Sequence, residues 1–380
     1  MNIRIDKEIL NFKLDNVAHA ISSKSPLAVL TGVKIEATSK GLELVASNGE
    51  ISIKTTIDAE NVEIIEKGKV LVEGKILVSV VKAISNGTIQ LQVVDSVLVV
   101  KGGRSEYKIN IMDVDSYPNI DFEAFEGMNS LNINSNDFLN IVKKVVISVS
   151  ASEKKPILTG VNIKGENGKI IFAATDAFRL SLYTLDKETD TNFNIVVPGA
   201  SLNELLKCSF EEGESTIKFF GNKFIFEIGS LTFMTRLLDG QYPDVSRLIP
   251  SEFECSFEFN RFALLNATNR ISIMSSDSST KDKEISHNAI KFTTISKSFV
   301  KIVSDSSAFG KASEEVELSN TLDITEPVSF AFASKNLISA LNSYESEFVK
   351  INYISPFKPF TVTTENEPNL VQLILPIRLS

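Results

Sequence analysis

Cysteine is scarce in this chain of 380 residues, and glycine and proline are only moderately frequent. The 2 cysteines, Cys208 and Cys255, are too few for a disulfide framework and show no metal-binding spacing. The 18 glycines and 11 prolines exclude a collagen-like sequence, and a hydrophobic content of 43% excludes a disordered one. The length is enough for two or three domains, each with its own buried core.

The sequence also lacks an excess of positive charge and long apolar runs. Its formal net charge of −9 excludes a protein that grips nucleic acid by bulk basicity, but it permits a local basic patch. No apolar run reaches the roughly 18 residues of a membrane span. The start, MNIRIDKEIL, lacks the basic-then-apolar layout of a signal peptide. We therefore expect a cytoplasmic protein with no membrane contact.

Common enzyme motifs are missing as well. The sequence contains no G-x-x-x-x-G-K-[ST], G-x-G-x-x-G or G-x-S-x-G pattern, so it lacks the usual phosphate-binding loops and the nucleophile elbow. The two histidines, His19 and His287, have no cysteine or carboxylate cluster that would indicate a metal site or a general base. Both cysteines are better interpreted as small hydrophobic residues than as nucleophiles. We predict a protein without catalytic residues, metal or cofactor.

What the sequence does contain is an internal repeat. The tetrapeptide LTGV occurs at 30–33 and again at 158–161, a shift of 128 residues. At nearly the same spacing, Asp6, Asn134 and Asn260 each follow a short alternating strand and precede a helical pattern. Asp and Asn suit such a place because their side chains accept hydrogen bonds from the first turn of a helix. The sequence therefore predicts three copies of one unit.

Each copy contains a similar series of elements. In the first copy, Leu10, Leu14 and Val17 lie on one face of the predicted first helix. A second helical pattern follows several strand-like runs, as KILVSVVKAI, SLNELLKCSF and KNLISALNSY in the three copies. The first two copies close on stretches with Tyr117-Pro118 and Tyr242-Pro243, which we interpret as linkers.

These patterns predict an α+β fold of three similar domains in tandem, each with two helices and about eight strands in antiparallel sheets. Strands outnumber helices and do not alternate with them one for one, which argues against a doubly wound parallel sheet. The predicted domains are 1–125, 126–250 and 251–380. Similar units in series often form an arc or a ring, because each junction repeats the same rotation.

Three segments resemble the bacterial β sliding clamp, the processivity subunit of DNA polymerase III. They are TDAFRLSLY at 175–183, DGQYPDVSRLIP at 239–250 and LPIRL at 375–379, and the resemblance runs along the whole chain. It implies a ring-forming, head-to-tail homodimer of six domains, with helices lining the hole. Duplex DNA would pass through the ring without sequence-specific contacts. The clamp would then tether the replicative polymerase and other DNA-processing proteins.

The resemblance also implies partners and DNA-contacting residues. The partners are double-stranded DNA, a second copy of the chain, the polymerase III alpha subunit, the clamp loader and other proteins with a short clamp-binding peptide. Lys24 stands where the family uses a basic residue to touch DNA, and Lys154 and Lys155 occupy the equivalent turn of the second copy. The predicted DNA contacts are all lysines: Lys24, Lys75, Lys82, Lys143, Lys144, Lys154 and Lys155.

A peptide pocket between domains two and three is the second site that the resemblance implies. The family binds there a short motif with a glutamine and one or two large apolar side chains, and apolar walls with few polar groups suit such a ligand. Ala177 stands where the family commonly has glycine, and Phe178 where histidine is frequent, so each adds bulk. The predicted wall consists of Leu158, Thr175, Ala177, Phe178, Arg179, Leu180, Pro243, Arg247, Leu248, Phe357, Pro359, Leu375, Pro376, Ile377, Arg378 and Leu379.

For the dimer, the first domain of one chain is expected to meet the third domain of the other. The predicted contact has an apolar part, which includes Tyr107 on an edge strand, and a rim of opposite charges. The predicted contact residues are Lys75, Arg104 and Tyr107 in the first domain, and Ile273, Met274, Glu314, Glu315 and Glu317 in the third.

Two other functions stay open at this point. An enzyme built on duplicated α+β units would have a compact group of titratable residues in a cleft. A repeat-built scaffold that never meets DNA would lack lysines that converge on a hole. The clamp predicts basic residues on an inner face and an apolar cleft near the C-terminus. The sequence favours the clamp, chiefly through the resemblance.

Overall fold

The computed structural model describes residues 1–22, 27–85, 87–123, 128–189, 191–275, 289–306, 310–324 and 326–378. Each of the three repeats contributes two α-helices within these ranges, as the sequence predicts. The six helices are α1 (Lys7–Ala18), α2 (Gly74–Ala83), α3 (Ser135–Val145), α4 (Gly199–Leu205), α5 (Arg261–Ser272) and α6 (Ser334–Asn342).

The described ranges also contain 25 β-strands, close to the predicted eight in each repeat. The first repeat has β1 (Asn2–Asp6), β2 (Gly32–Thr38), β3 (Gly41–Ser47), β4 (Ile51–Asp58), β5 (Val62–Glu66), β6 (Gly68–Glu73), β7 (Thr88–Val94), β8 (Val97–Gly102) and β9 (Ser105–Met112). The second has β10 (Asn129–Asn134), β11 (Gly160–Glu166), β12 (Lys169–Thr175), β13 (Arg179–Asp186), β14 (Phe193–Pro198), β15 (Glu214–Phe220), β16 (Lys223–Ile228) and β17 (Leu231–Arg236). The third has β18 (Cys255–Asn260), β19 (Ala289–Thr294), β20 (Phe299–Ser306), β21 (Gly310–Glu317), β22 (Ser329–Ala333), β23 (Phe348–Tyr353), β24 (Phe360–Thr363) and β25 (Leu370–Ile374).

The first helix of each repeat begins after the predicted capping residue. The carboxylate of Asp6 accepts hydrogen bonds from two main-chain N–H groups in the first turn of α1, at 2.8 and 3.3 Å. The side-chain oxygens of Asn134 and Asn260 each accept one such bond, at 3.0 and 3.1 Å. Each cap is worth about 1 kcal/mol because it satisfies a donor that has no partner inside the helix. The capping prediction is confirmed in all three repeats.

The chain forms two compact units. The first comprises Met1–Asn140 and Val197–Asp239, and the second comprises Ile141–Val196 and Gly240–Ser380. The central repeat is thus divided between them, because its strands join two different sheets. The sequence repeats and the compact units are therefore different divisions of the chain, and the domain boundaries near 125 and 250 stay a prediction.

The first unit is built on a sheet of 13 strands, in the order β10-β15-β16-β17-β4-β3-β2-β6-β9-β8-β7-β1-β5. Strand β17 of the second repeat pairs antiparallel with β4 of the first, with Thr235 opposite Ile51. Helix α1 buries Leu10, Leu14 and Val17, the face that the sequence predicts. This continuous sheet explains why the end of the central repeat belongs to the first unit.

The second unit contains an eight-stranded sheet, β14-β11-β12-β13-β25-β24-β23-β18, and a four-stranded sheet, β21-β20-β19-β22. Strand β13 pairs antiparallel with β25, the last strand within the described residues, with Arg179 opposite Ile374. The core of the third repeat is rich in aromatic rings, and the centroids of Phe292 and Phe330 lie 4.8 Å apart. No helix in the described ranges is both long and apolar enough to cross a membrane.

Candidate functional site

One carboxylate holds the turn between β12 and β13. Oδ1 of Asp176 accepts hydrogen bonds from the main-chain N–H groups of Phe178 and Arg179, at 2.9 and 3.0 Å, and Oδ2 accepts from Nε of Arg179 at 3.0 Å. Nη1 of Arg179 is buried and has no acceptor within the described residues. A buried donor without a partner costs about 1–3 kcal/mol, so an acceptor on a ligand would be favoured here.

Ala177, in the same turn, has a left-handed backbone with φ of 76°. A residue with a Cβ pays about 1–2 kcal/mol for this conformation, whereas glycine adopts it freely. Thr175 compensates in part, because its Oγ1 accepts from the N–H of Ala177 at 3.1 Å and donates to the carbonyl of Arg179 at 2.6 Å. The structure thus gives a physical reason why glycine suits this position.

Tyr242 connects this turn to a groove of about 470 Å³, which we call the Pro243 groove. The hydroxyl of Tyr242 accepts a hydrogen bond from the main-chain N–H of Thr175 at 3.0 Å. Burial raises the pKa of Tyr242 to about 12, so this hydroxyl stays protonated at physiological pH. The groove is lined by Lys155, Ile157, Leu158, Gln241, Tyr242, Pro243 and Asp244.

The C-terminal tail lies against the same unit at two points. The N–H of Leu375 donates to the carbonyl of Phe178 at 2.9 Å, and the N–H of Ile377 donates to the carbonyl of Ala331 at 2.7 Å. A second groove of about 540 Å³, which we call the tail groove, includes Phe357, Ile377 and Arg378 in its lining. The guanidinium of Arg378 stands 5.5 Å from the centroid of the Phe357 ring, a cation–π contact.

The predicted wall residues do not line a single groove. Leu158 and Pro243 line the Pro243 groove, and Phe357, Ile377 and Arg378 line the tail groove. Phe178, Leu248 and Phe357 are large apolar side chains that are 60%, 53% and 71% exposed. Leu180 is 1% exposed and serves as a core residue. Pro356, not the predicted Pro359, lines the tail groove.

Among the described residues, Arg247 and Pro376 line neither groove. Arg247 is 89% exposed at its side chain, and its Nε forms an ion pair with Asp244 at 3.3 Å. Pro376 lies between the two tail residues whose N–H groups are hydrogen-bonded. Leu379 lies outside the described residues. Asp176 and Tyr242 were not among the predicted site residues, although the equivalent positions of the first repeat carry the similar residues Asn48 and Tyr117.

The predicted DNA-contacting lysines have different environments. Lys75, Lys143 and Lys155 are exposed. Lys82 is also exposed, and it forms an ion pair with Asp15 at 2.7 Å. Lys154 is exposed as well, whereas Lys24 lies outside the described residues.

Lys144 differs from the other lysines. It forms an ion pair with Glu367 in which both side chains are only 16% exposed. The main-chain carbonyl of Lys144 accepts a hydrogen bond from Gln372 at 3.0 Å. Burial has the largest single effect on the Glu367 carboxyl and raises its pKa. The hydrogen bonds from Lys144 and from the main-chain N–H groups of Glu345 and Ser346, together with the charge of Lys144, outweigh burial and lower the pKa of the carboxyl. Lys144 therefore acts as a packing residue in the second unit, and we leave it out of the DNA-contacting set.

One of the predicted dimer residues, Glu314, forms an ion pair within the chain. Arg270 and Glu314 form an ion pair, with Nε 3.0 Å from Oε2. Along β21, Glu314 points to the side of buried Val316, while Glu315 and Glu317 point to the other side and are exposed. The three glutamates therefore do not form one continuous rim. In the described ranges, Arg104 and Ile273 are exposed, whereas Tyr107 and Met274 are half-buried.

The two cysteines are protonated thiols, and His19 lies beside a glutamate. Burial raises the pKa of the Cys208 thiol to about 12 and that of Cys255 to about 11, so both are protonated at neutral pH. Nδ1 of His19 lies 3.3 Å from Oε2 of Glu204. His287 lies outside the described residues. No cluster of three metal-ligating side chains occurs in the part of the chain that the structure describes.

Comparison with known protein families identifies this architecture. Models of the DNA polymerase III beta subunit match residues 1–121 with the N-terminal domain, 132–244 with the central domain and 246–378 with the C-terminal domain. The chain belongs to the bacterial β sliding clamp family. The resemblance that the sequence motifs carry is confirmed, as is the fold of three clamp domains in tandem.

Individual β sliding clamps agree over the whole chain. The clamp of Bacillus subtilis (strain 168) is 30% identical over 387 residues, and the match covers 100% of both chains. The clamp of Staphylococcus aureus (strain Mu50) is 31% identical over 386 residues, covering 100% of this chain and 99% of the relative. The crystal structures of the B. subtilis sliding clamp and the Streptococcus pyogenes beta subunit each superpose with a TM-score of 0.90 at 29% identity, over 100% of both chains. The chain is therefore a DNA sliding clamp.

Proposed function

We propose that this clamp is a homodimeric ring that encircles duplex DNA and tethers the polymerase III alpha subunit and other DNA-processing proteins. It works in the cytoplasm and performs no chemistry of its own. The observation that carries the proposal is the three-domain clamp architecture over the full chain, together with two grooves in the second unit, one of which is lined by the exposed Phe357. ATP chemistry for opening the ring belongs to a separate loader.

The proposed partner site consists of the Pro243 groove and the tail groove. An extended peptide would place large apolar side chains against Leu158, Phe178 and Phe357, which gain by leaving water. Its polar groups would find the buried Nη1 of Arg179, which has no acceptor among the described residues. Such a ligand is the short motif with a glutamine and large apolar side chains that the alpha subunit and the loader would carry.

The proposed dimer contact joins two strand edges. Within the described ranges β9 pairs with β6 only through Ile111 and Met112, so Ser105–Asn110 has one open edge. Strand β21 is one of the two edge strands of the four-stranded sheet in the described ranges. Open edges readily pair with another chain, and β9 against β21 of a partner would extend both sheets. The exposed Glu315 and Glu317 remain candidates for the charged rim.

The proposed DNA contacts are weak and mobile. A ring retains DNA by enclosure, so the proposed lysines need only supply screened contacts to phosphates. The set that we propose is Lys24, Lys75, Lys82, Lys143, Lys154 and Lys155. The net charge of −9 over the whole chain then discourages nonspecific binding elsewhere on the surface.

Primer extension tests the tethering function. We expect the protein, with its cognate polymerase, loader and ATP, to lengthen the products on a primed circular template. The double variant Leu248→Ala, Phe357→Ala should lose this stimulation, because both side chains are exposed and available to a partner. The matched control Ile65→Ala, Phe220→Ala removes two other exposed apolar groups, from the first unit, and should retain it. If the products are no longer with the wild-type protein than without it, and the loader is active, the proposal is contradicted.

A further inference from the structure

The first unit contains a groove built like the Pro243 groove. It has a volume of about 400 Å³, and Leu30, Pro118 and Met234 contribute to its lining. Leu30 and Pro118 occupy the places that Leu158 and Pro243 have in the next repeat. We call this cavity the Pro118 groove.

The turn beside the Pro118 groove repeats the geometry of the turn in the second unit. Oδ1 of Asn48 accepts from the N–H groups of Glu50 and Ile51 at 3.0 and 2.8 Å, as Asp176 does in its turn. Gly49 has a left-handed φ of 92°. The hydroxyl of Ser47 accepts from the N–H of Gly49 at 3.2 Å. The two turns therefore share the same hydrogen-bonding scheme.

The strands that follow the two turns are also paired alike. Ile51 stands opposite Thr235 in the first unit, and Arg179 stands opposite Ile374 in the second. The next residues in these registers are Glu50 with Arg236 and Phe178 with Leu375, so the two pairs occupy equivalent positions in the two sheets. We call each of these the flanking pair.

The two flanking pairs differ in chemistry. In the second unit the pair is Phe178 and Leu375, which are 60% and 36% exposed. In the first unit it is Glu50 and Arg236, which are both exposed and line the Pro118 groove. The same framework thus presents two apolar side chains in one unit and two opposite charges in the other.

We infer that Glu50 and Arg236 exclude the apolar peptide from the Pro118 groove, so that each chain binds one such peptide. A large apolar side chain that enters beside them must strip water from two charges and offers no hydrogen bond in return. Beside Phe178 and Leu375 the same side chain removes only apolar surface from water. This inference rests on the proposed peptide function, and it concerns the number of peptides that a chain can hold.

Exchanging the flanking pair tests the inference. The variant Glu50→Phe, Arg236→Leu gives the first unit an apolar flanking pair. The matched control Glu63→Phe, Arg4→Leu alters another cross-strand pair of the first unit, whose charges form an ion pair at 3.5 Å. The probe is a neutral, capped pentapeptide with one glutamine and two large apolar side chains, and titration calorimetry gives its stoichiometry.

Methyl NMR of the 5 methionines locates the bound peptide, because Met234 lines the Pro118 groove. We expect one peptide per chain and an unmoved Met234 signal in the wild type and in the control. The exchanged variant should bind one peptide more and shift the Met234 signal. Thermal unfolding of each protein verifies that it is folded.

Two results would overturn the inference: a Met234 shift in the wild type at the same peptide concentration, or a folded exchanged variant that gains no site. A wild type that binds no peptide at all would instead refute the proposed peptide function. The gain of one site between wild type and exchanged variant is therefore the readout of the inference alone.

Discussion

The Pro118 and Pro243 grooves share one framework and differ in a few side chains. Each has a buried tyrosine in the linker, a side-chain oxygen that caps two N–H groups of a turn, and a strand from the following repeat beside it. The differences lie where a ligand would touch: Gly49 against Ala177, and Glu50 against Phe178. The comparison teaches that the repeat supplies the scaffold, whereas single substitutions set what each groove can bind.

Replacing the linker tyrosines Tyr117 and Tyr242 by phenylalanine should give the largest difference in effect between the two units. Tyr242→Phe removes the acceptor for the buried N–H of Thr175, so we expect a loss of about 1–3 kcal/mol in the free energy of unfolding. The hydroxyl of Tyr117 lies near the main chain of Ser47 without a hydrogen bond of good geometry. Tyr117→Phe should therefore leave stability unchanged or raise it. Urea unfolding measures both, and equal losses would show that the tyrosines have the same role.

The flanking residues should give the next largest contrast. Phe178→Ala removes an exposed ring from the turn that Tyr242 connects to the Pro243 groove. We expect about a tenfold loss in affinity for the neutral peptide, which corresponds to about 1.4 kcal/mol. Glu50→Ala, at the equivalent place in the first unit, should leave that affinity unchanged. Fluorescence anisotropy of a labelled peptide measures both constants. An affinity that is insensitive to Phe178→Ala would remove this residue from the proposed site.

Exchanging alanine and glycine at the two left-handed turn positions should give the smallest single changes, with opposite signs. Ala177→Gly relieves the backbone at φ of 76° and should stabilise the protein by about 1 kcal/mol. Gly49→Ala introduces the same strain at φ of 92°, and since its Cβ would meet nothing within 4 Å, strain alone should cost about 1 kcal/mol. Melting temperatures by differential scanning fluorimetry give the direction. Shifts of the same sign would mean that the two turns are not equivalent.

Local signals made much of the fold predictable from the sequence. These signals each involve a few neighbouring residues. They are the capping residues Asp6, Asn134 and Asn260, the period of α1 and the short LTGV segment of the first two repeats. The structure contains the elements that they predict. The long-range order of the strands was not predictable in this way. The pairing of β17 with β4 and of β13 with β25 joins residues far apart in the chain.

The site was less predictable for the same reason. Lys144 looked like a surface cation on an amphipathic helix, but the fold brings Glu367, 223 positions away, into an ion pair with it. Glu314 likewise meets Arg270 from another element. Tyr242 looked like part of a linker, although its hydroxyl holds the turn at Thr175. Such pairings depend on tertiary contacts that no local pattern contains.

Retention on DNA of different topology tests the central claim most directly. The protein is loaded onto a nicked circular plasmid with its clamp loader and ATP, the DNA is separated from free protein, and half of the sample is linearised by a restriction enzyme. Enclosure predicts that the protein stays on the circles and is lost through the ends of the linear DNA. Equal retention on circular and linear DNA would contradict enclosure and would mean ordinary surface binding.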